Sequence, residues 1–106
     1  MRFEIKNINK SISNLMQTIG YQPAYFQKEG EISIVRQIGR NNYPRFHLYI
    51  RQSFDTAQDK SNTYVFDLHL DQKKPSYEGV KKHSGEYGGY LIKEESGRII
   101  ELLTVN

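Results

Sequence analysis

Two stretches of this chain alternate strictly, and they constrain the fold more than anything else in it. In Arg45–Arg51 the apolar residues Phe46, Leu48 and Ile50 alternate with Arg45, His47, Tyr49 and Arg51. In Tyr64–Asp71 the residues Tyr64, Phe66, Leu68 and Leu70 alternate with Val65, Asp67, His69 and Asp71. Successive side chains on a strand point to opposite faces, so each stretch is a strand with one apolar and one largely polar side. A chain with two such neighbours builds an antiparallel sheet, and the apolar side needs a cover.

The cover is expected at the N-terminus. Ile5, Ile8, Ile12, Leu15, Met16 and Ile19 fall at helical spacing and predict a helix over 8–19. Asn7 or Asn9 can cap its start, and Gly20 is placed for a left-handed stop with Pro23 soon after. Beyond it the pattern returns to period two. Ala24–Lys28 and Glu31–Ile38 read as strands joined at Glu29-Gly30, and Gly39–Asn42 as a loop before Tyr43-Pro44. A proline cannot donate to a ladder and belongs at a strand's beginning or edge. Glu86–Glu94 reads as the last strand, with Gly88-Gly89 weakening it or marking a bulge. Ser96 is placed to cap a short final helix carrying Ile99, Ile100, Leu102 and Leu103, and a final strand over Ile99–Val105 is the alternative. The fold class is therefore α+β in one domain over 1–106: an N-terminal helix on one face of a twisted antiparallel sheet of about five strands, closed by a short C-terminal helix or strand.

Two polar segments interrupt this plan. Residues 53–61 are long for a hairpin link and read as a tolerated surface insertion. Within them FDTAQDKS resembles translated copies of short repeated DNA elements. Residues 72–85 form a second long loop with a local charge of +3 over 72–83, from Lys73, Lys74, Lys81 and Lys82 against Glu78. That equals the net charge of the whole chain, +3, so an anionic partner is admitted without being demanded.

The segments YPRFHLYI (43–50), LHLDQKKPSY (68–77) and HSGEY (83–87) resemble a small protein family from environmental, candidate-phylum bacterial genomes. The likeness spans about 18–100, with 53–61 as a departure. It implies one recurring domain and assigns no activity, so no catalytic residue is carried over from it.

Several function classes drop out. No cysteine is present, which excludes a disulfide frame, a thiolate ligand and a cysteine nucleophile. The charged start MRFEIKNINK lacks a signal peptide's apolar run, and no stretch approaches about 18 apolar residues. A cytoplasmic location without membrane contact is the default expectation.

Three constellations carry candidate chemistry. The first is the polar side of the central hairpin. Pairing His47 opposite Asp67 and Arg45 opposite His69 would gather imidazoles and carboxylates. His47, Asp67, His69 and Asp71, with His83 and Glu86 if the long loop folds back, are the donor types a divalent metal takes. Without metal, Asp67 orienting His47 would make a general base. The plain account is a charged ladder on a solvated face, worth roughly 0.2–1 kcal/mol per cross-strand pair. The second is the basic loop, where Lys73, Lys74, Lys81 and Lys82 interleave with Tyr77 and Tyr87, as phosphate contact plus base stacking requires. Arg36, Arg40 and Arg45 extend that patch if the sheet brings them near. The third, His83-Ser84-Gly85-Glu86-Tyr87, lacks the Gly-x-Ser-x-Gly elbow of a hydrolase.

The reading these residues favour is a non-enzymatic module that binds RNA or another anionic macromolecule, such as an acidic protein. It would use Arg45, His47, Tyr49, Asp67 and His69 on the sheet with Lys73, Lys74, Tyr77, Lys81 and Lys82 on the loop, and no obligatory cofactor. The alternatives are a small metal-dependent hydrolase or nuclease, and a homo-oligomer or accessory subunit paired through an edge strand such as Ala24–Lys28.

Overall fold

In the computed structural model, residues 1–53, 63–72 and 84–104 are described, the side chains of 84–88 excepted. The expectations placed on residues 54–62 and on Lys73, Lys74, Tyr77, Lys81, Lys82 and His83 lie outside that set. The chain runs β1 (Arg2–Ile5), α1 (Ile12–Ile19), β2 (Gln22–Pro23), β3 (Ile32–Gln37), β4 (Arg45–Gln52), β5 (Tyr64–Asp71) and α2 (Ser84–Thr104). The five strands form one antiparallel sheet in the order β1-β5-β4-β3-β2. The α+β architecture expected from the alternation is present. β1 and β2 sit at opposite edges, so α1 links the two margins of the sheet.

The periodicity over residues 5–19 hides a change of structure. Ile5 and Ile8 are buried, yet Ile5 belongs to β1 and the helix starts only at Ile12. Asn7 takes a left-handed φ of 61°, which a helix interior rejects. Ser11, rather than Asn7 or Asn9, is the cap: its hydroxyl accepts a hydrogen bond from the Asn14 N–H at 3.1 Å. The C-terminal stop is as expected. Gly20 has φ 81° and its N–H bonds back to the Met16 and Gln17 carbonyls. In β1, Phe3 lies opposite Phe66 with the rings parallel at 5.2 Å.

The expected strand Ala24–Lys28 is not formed. Only Lys28 bridges Glu31, across the turn at Gly30 (φ 80°). Gln27 explains the loss. Its side-chain amide donates to the Ala24 and Ser33 carbonyls at 2.9 and 2.7 Å and accepts from the Ser33 N–H at 3.1 Å. Gln27 thus takes the Ser33 N–H that a neighbouring strand would otherwise engage and shares the Ser33 carbonyl with the Ala24 N–H, which donates at 2.9 Å. Tyr25 and Phe26 are released to solvent, 102% and 84% exposed. The edge expected to pair between chains is reduced to Gln22–Pro23.

Glu86–Glu94 is helix, not strand, and the C-terminal element is long: α2 has 21 residues. Ser96 is inside it, its hydroxyl donating to the Lys93 carbonyl three residues back at 2.9 Å. What holds α2 is an apolar line. Ile99 and Leu103 are buried and Leu91 and Ile92 pack at the margin of the same core. Among the described residues no helix is long and apolar enough to cross a membrane.

Both helices cover the same side of the sheet. Leu15 and Ile19 from α1 and Ile99 from α2 meet Ile34, Leu48, Ile50, Phe66 and Leu68, all buried to within 2%. Full burial of each such side chain is worth about 1.5–3 kcal/mol. The two helices are also bound by an ionic cluster. Glu95 on α2, 3% exposed, accepts from Arg36 Nε (3.1 Å) and Nη2 (2.9 Å), from Arg98 Nε and Nη2 (2.9 Å each) and from the Tyr21 hydroxyl (2.7 Å). Arg98 Nη2 also donates to the Ile19 carbonyl at the end of α1 at 2.6 Å. Every oxygen of the buried carboxylate is compensated, as burial of a charge demands.

Candidate functional site

The other face of the sheet is built by the second half of the alternation. Reading across the strands, Ser33, Tyr49 and Asp67 form one row, Val35, His47 and His69 the next, and Gln37, Arg45 and Asp71 a third. No described helix lies on this side.

The expected register is corrected by two residues: His47 pairs with His69 instead of Asp67, and Arg45 with Asp71 instead of His69. Because side chains repeat every two residues, a shift of two keeps every residue on its face. All six hairpin candidates, Arg45, His47, Tyr49, Asp67, His69 and Asp71, therefore share one surface.

The shift changes who holds whom. His47 Nδ1 lies 2.7 Å from Asp71 Oδ2, so Asp71 and not Asp67 is its carboxylate. With Asp71 ionised, Nδ1–H donates, and Nε2 is left to accept from the Ser33 hydroxyl, its other partner. Arg45 pairs with the same carboxylate oxygen, Nε at 3.5 Å, and its guanidinium lies 4.6 Å from the centre of the Tyr43 ring. Asp67 is held separately, by His69 Nε2 at 3.3 Å and Arg2 Nη2 at 3.8 Å. These are two independent clusters. Among the described residues no group of three or more His, Asp or Glu side chains is assembled to hold a metal ion. Glu86 falls within α2, with its side chain outside the described set.

Tyr49 sits at the middle of the face. Its ring stacks on His47 at 4.3 Å and 19°, and meets His69 edge-on at 5.5 Å. Burial raises the Tyr49 phenol above its ordinary pKa, helped by the carboxylates of Asp71, Glu31 and Asp67. It is a neutral hydrogen-bond donor at physiological pH. Beside it a recess of about 400 Å³ is lined by Phe26, Gln27, Lys28, Glu31, Ser33, His47 and Tyr49. A second concavity, about 300 Å³, lies at the sheet margin between Gly20, Arg36, Gln37 and Arg45.

Arg36 does not extend a basic patch. It turns to the helical side, where Glu95 neutralises it. The sequence pattern does not single out Ser33, Gln27 or Phe26. The signal it holds for Ser33 is parity with Val35 and Gln37, which places a hydroxyl on the polar face. No protein-family model, curated protein or solved structure matches this chain.

Proposed function

We propose that the chain is a cytoplasmic binding module that takes single-stranded RNA on its open sheet face. The observation that carries this reading is the ring cluster on the two central strands. A five-stranded antiparallel sheet is packed on one side by two helices. It offers Tyr49, backed by His47, and the half-exposed His69 on the other, with Phe26 beside the adjoining recess. Sheet faces that bind single strands use such rings as stacking platforms, at about 1–3 kcal/mol per base. An acidic protein would need cations alone. The face itself is balanced, since Asp67 and Asp71 answer Arg2 and Arg45. Phosphate contact falls to Lys28, Arg51 and the lysines 73–82, which follow β5 directly in sequence.

Fluorescence anisotropy with a labelled oligouridylate tests this. Tyr49→Ala should weaken binding about 10- to 100-fold, in line with the loss of one stacked base. Replacing Lys73, Lys74, Lys81 and Lys82 by Ala should flatten the dependence of log K on log salt by about 0.7 for each phosphate no longer neutralised. Absence of binding at low salt, or affinity indifferent to Tyr49, contradicts the reading.

A further inference from the structure

Ser33, His47 and Asp71 come from three adjacent strands and from three different rows of the sheet. The side chains nevertheless join in one line, Ser33 Oγ to His47 Nε2 and His47 Nδ1 to Asp71 Oδ2. The line is shielded: Ser33 is 5% exposed and the His47 side chain 13%. Asp71 fixes the proton on Nδ1 and aims the Nε2 lone pair at the serine hydroxyl. That is the arrangement by which an imidazole takes a serine proton during acyl transfer. Gln27 ties down both backbone groups of Ser33, so the strand holds the hydroxyl rigidly at the wall of the recess. At about 400 Å³ the recess suits a small molecule. Phe26 and Tyr49 give it apolar sides, and Lys28 and Glu31 are the charged residues of the same lining.

We propose that Ser33 is the nucleophile of a metal-free esterase site, with His47 as its general base, acting on small uncharged carboxylic esters in this recess. Ser33 Oγ forms a bond to the ester carbonyl carbon while its proton passes to His47 Nε2. The carbonyl then re-forms, the bond to the alcohol oxygen breaks, and His47 returns the proton to the departing alcohol. Water attacks the acyl-serine by the same route, releasing the carboxylic acid and restoring Ser33. Asp71 is a positioning residue. This site shares His47, Tyr49 and Phe26 with the proposed RNA face, so its activity is read on the chain without RNA.

The test is covalent capture by an alkyl fluorophosphonate, in which Ser33 Oγ bonds to phosphorus and fluoride leaves. Intact mass should show one adduct per chain, and peptide mapping should place it on Ser33. Ser33→Ala should abolish the adduct and the hydrolysis of p-nitrophenyl butyrate. His47→Gln should slow labelling by about 100-fold or more, the usual contribution of a positioned general base. Asp71→Asn should slow it as well and Asp71→Glu restore part of the rate, which a merely structural carboxylate would not do. Should Ser33→Ala fail to fold, mapping on the wild-type chain decides alone. No adduct at Ser33, or a labelling rate unchanged in His47→Gln, overturns the proposal.

Discussion

Replacing Glu95 by Ala is expected to lower the unfolding free energy by about 3–5 kcal/mol, the cost of removing one partner of a buried ion cluster. Chemical denaturation at neutral pH measures it. The size follows from what the carboxylate holds. Two guanidiniums and a phenol converge on it from β3, from α2 itself and from the segment after α1. Without it Arg36 and Arg98 keep their charges beside the core with no counter-ion. Glu95→Gln keeps the shape and one acceptor, so its cost should be smaller.

The same cluster gives the stability a pH signature. Burial alone would raise the Glu95 carboxyl, but hydrogen bonds from Arg98, Arg36 and Tyr21 outweigh it and hold the pKa below the ordinary value of 4.5. The folded pKa is thus below the unfolded one. Its contribution is fully present above the ordinary carboxylate range and is lost as pH falls through the folded value. Tyr21 has the opposite sign. Burial, then the charge of Glu95, push its phenol far above the usual 10. That contribution is complete below about pH 10 and is lost progressively as pH rises above it. Glu95→Gln should flatten the acid limb of a stability–pH profile, and Tyr21→Phe the alkaline limb.

Phe66→Ala should cost about 3–5 kcal/mol, whereas His69→Ala, three residues along the same strand, should cost less than about 1 kcal/mol. Phe66 is fully buried among the apolar side chains of the sheet and stacks on Phe3. His69 has a half-exposed side chain and a single ion pair at 3.3 Å to a partly exposed carboxylate. Paired urea titrations of the two variants would read the two-sidedness of β5 directly. Comparable losses from both would mean the strand does not separate core from surface.

How much of this was legible depends on how local each feature is. The faces of β4 and β5 were readable because eight-residue alternation leaves one choice of inside. The register was not, because nothing in residues 53–63 sets a tight turn between them; parity survived the error because the shift was even. β1 was concealed by Ile5 and Ile8, whose spacing to Ile12 imitates one helix although Asn7 and Ser11 divide it. In α2 the glycines at 88 and 89 speak against helix and the tyrosines at 87 and 90 for strand, and packing of Ile99 and Leu103 overrides that local preference. The Glu95 cluster joins residues 59 and 74 positions apart, a distance at which no pattern speaks. Ser33 is not legible for a related reason: its link to His47 runs diagonally between rows, so it exists only once the register is set.

The open face can be probed residue by residue. In ¹⁵N–¹H spectra recorded at low salt, titration with a short oligouridylate should shift the amides of His47, Tyr49, His69 and their neighbours on β4 and β5. Ile99, Leu103 and the rest of the α2 core line should stay in place. An unchanged spectrum, or shifts gathered on the helices while Tyr49 stays still, would contradict the assignment of that face to RNA.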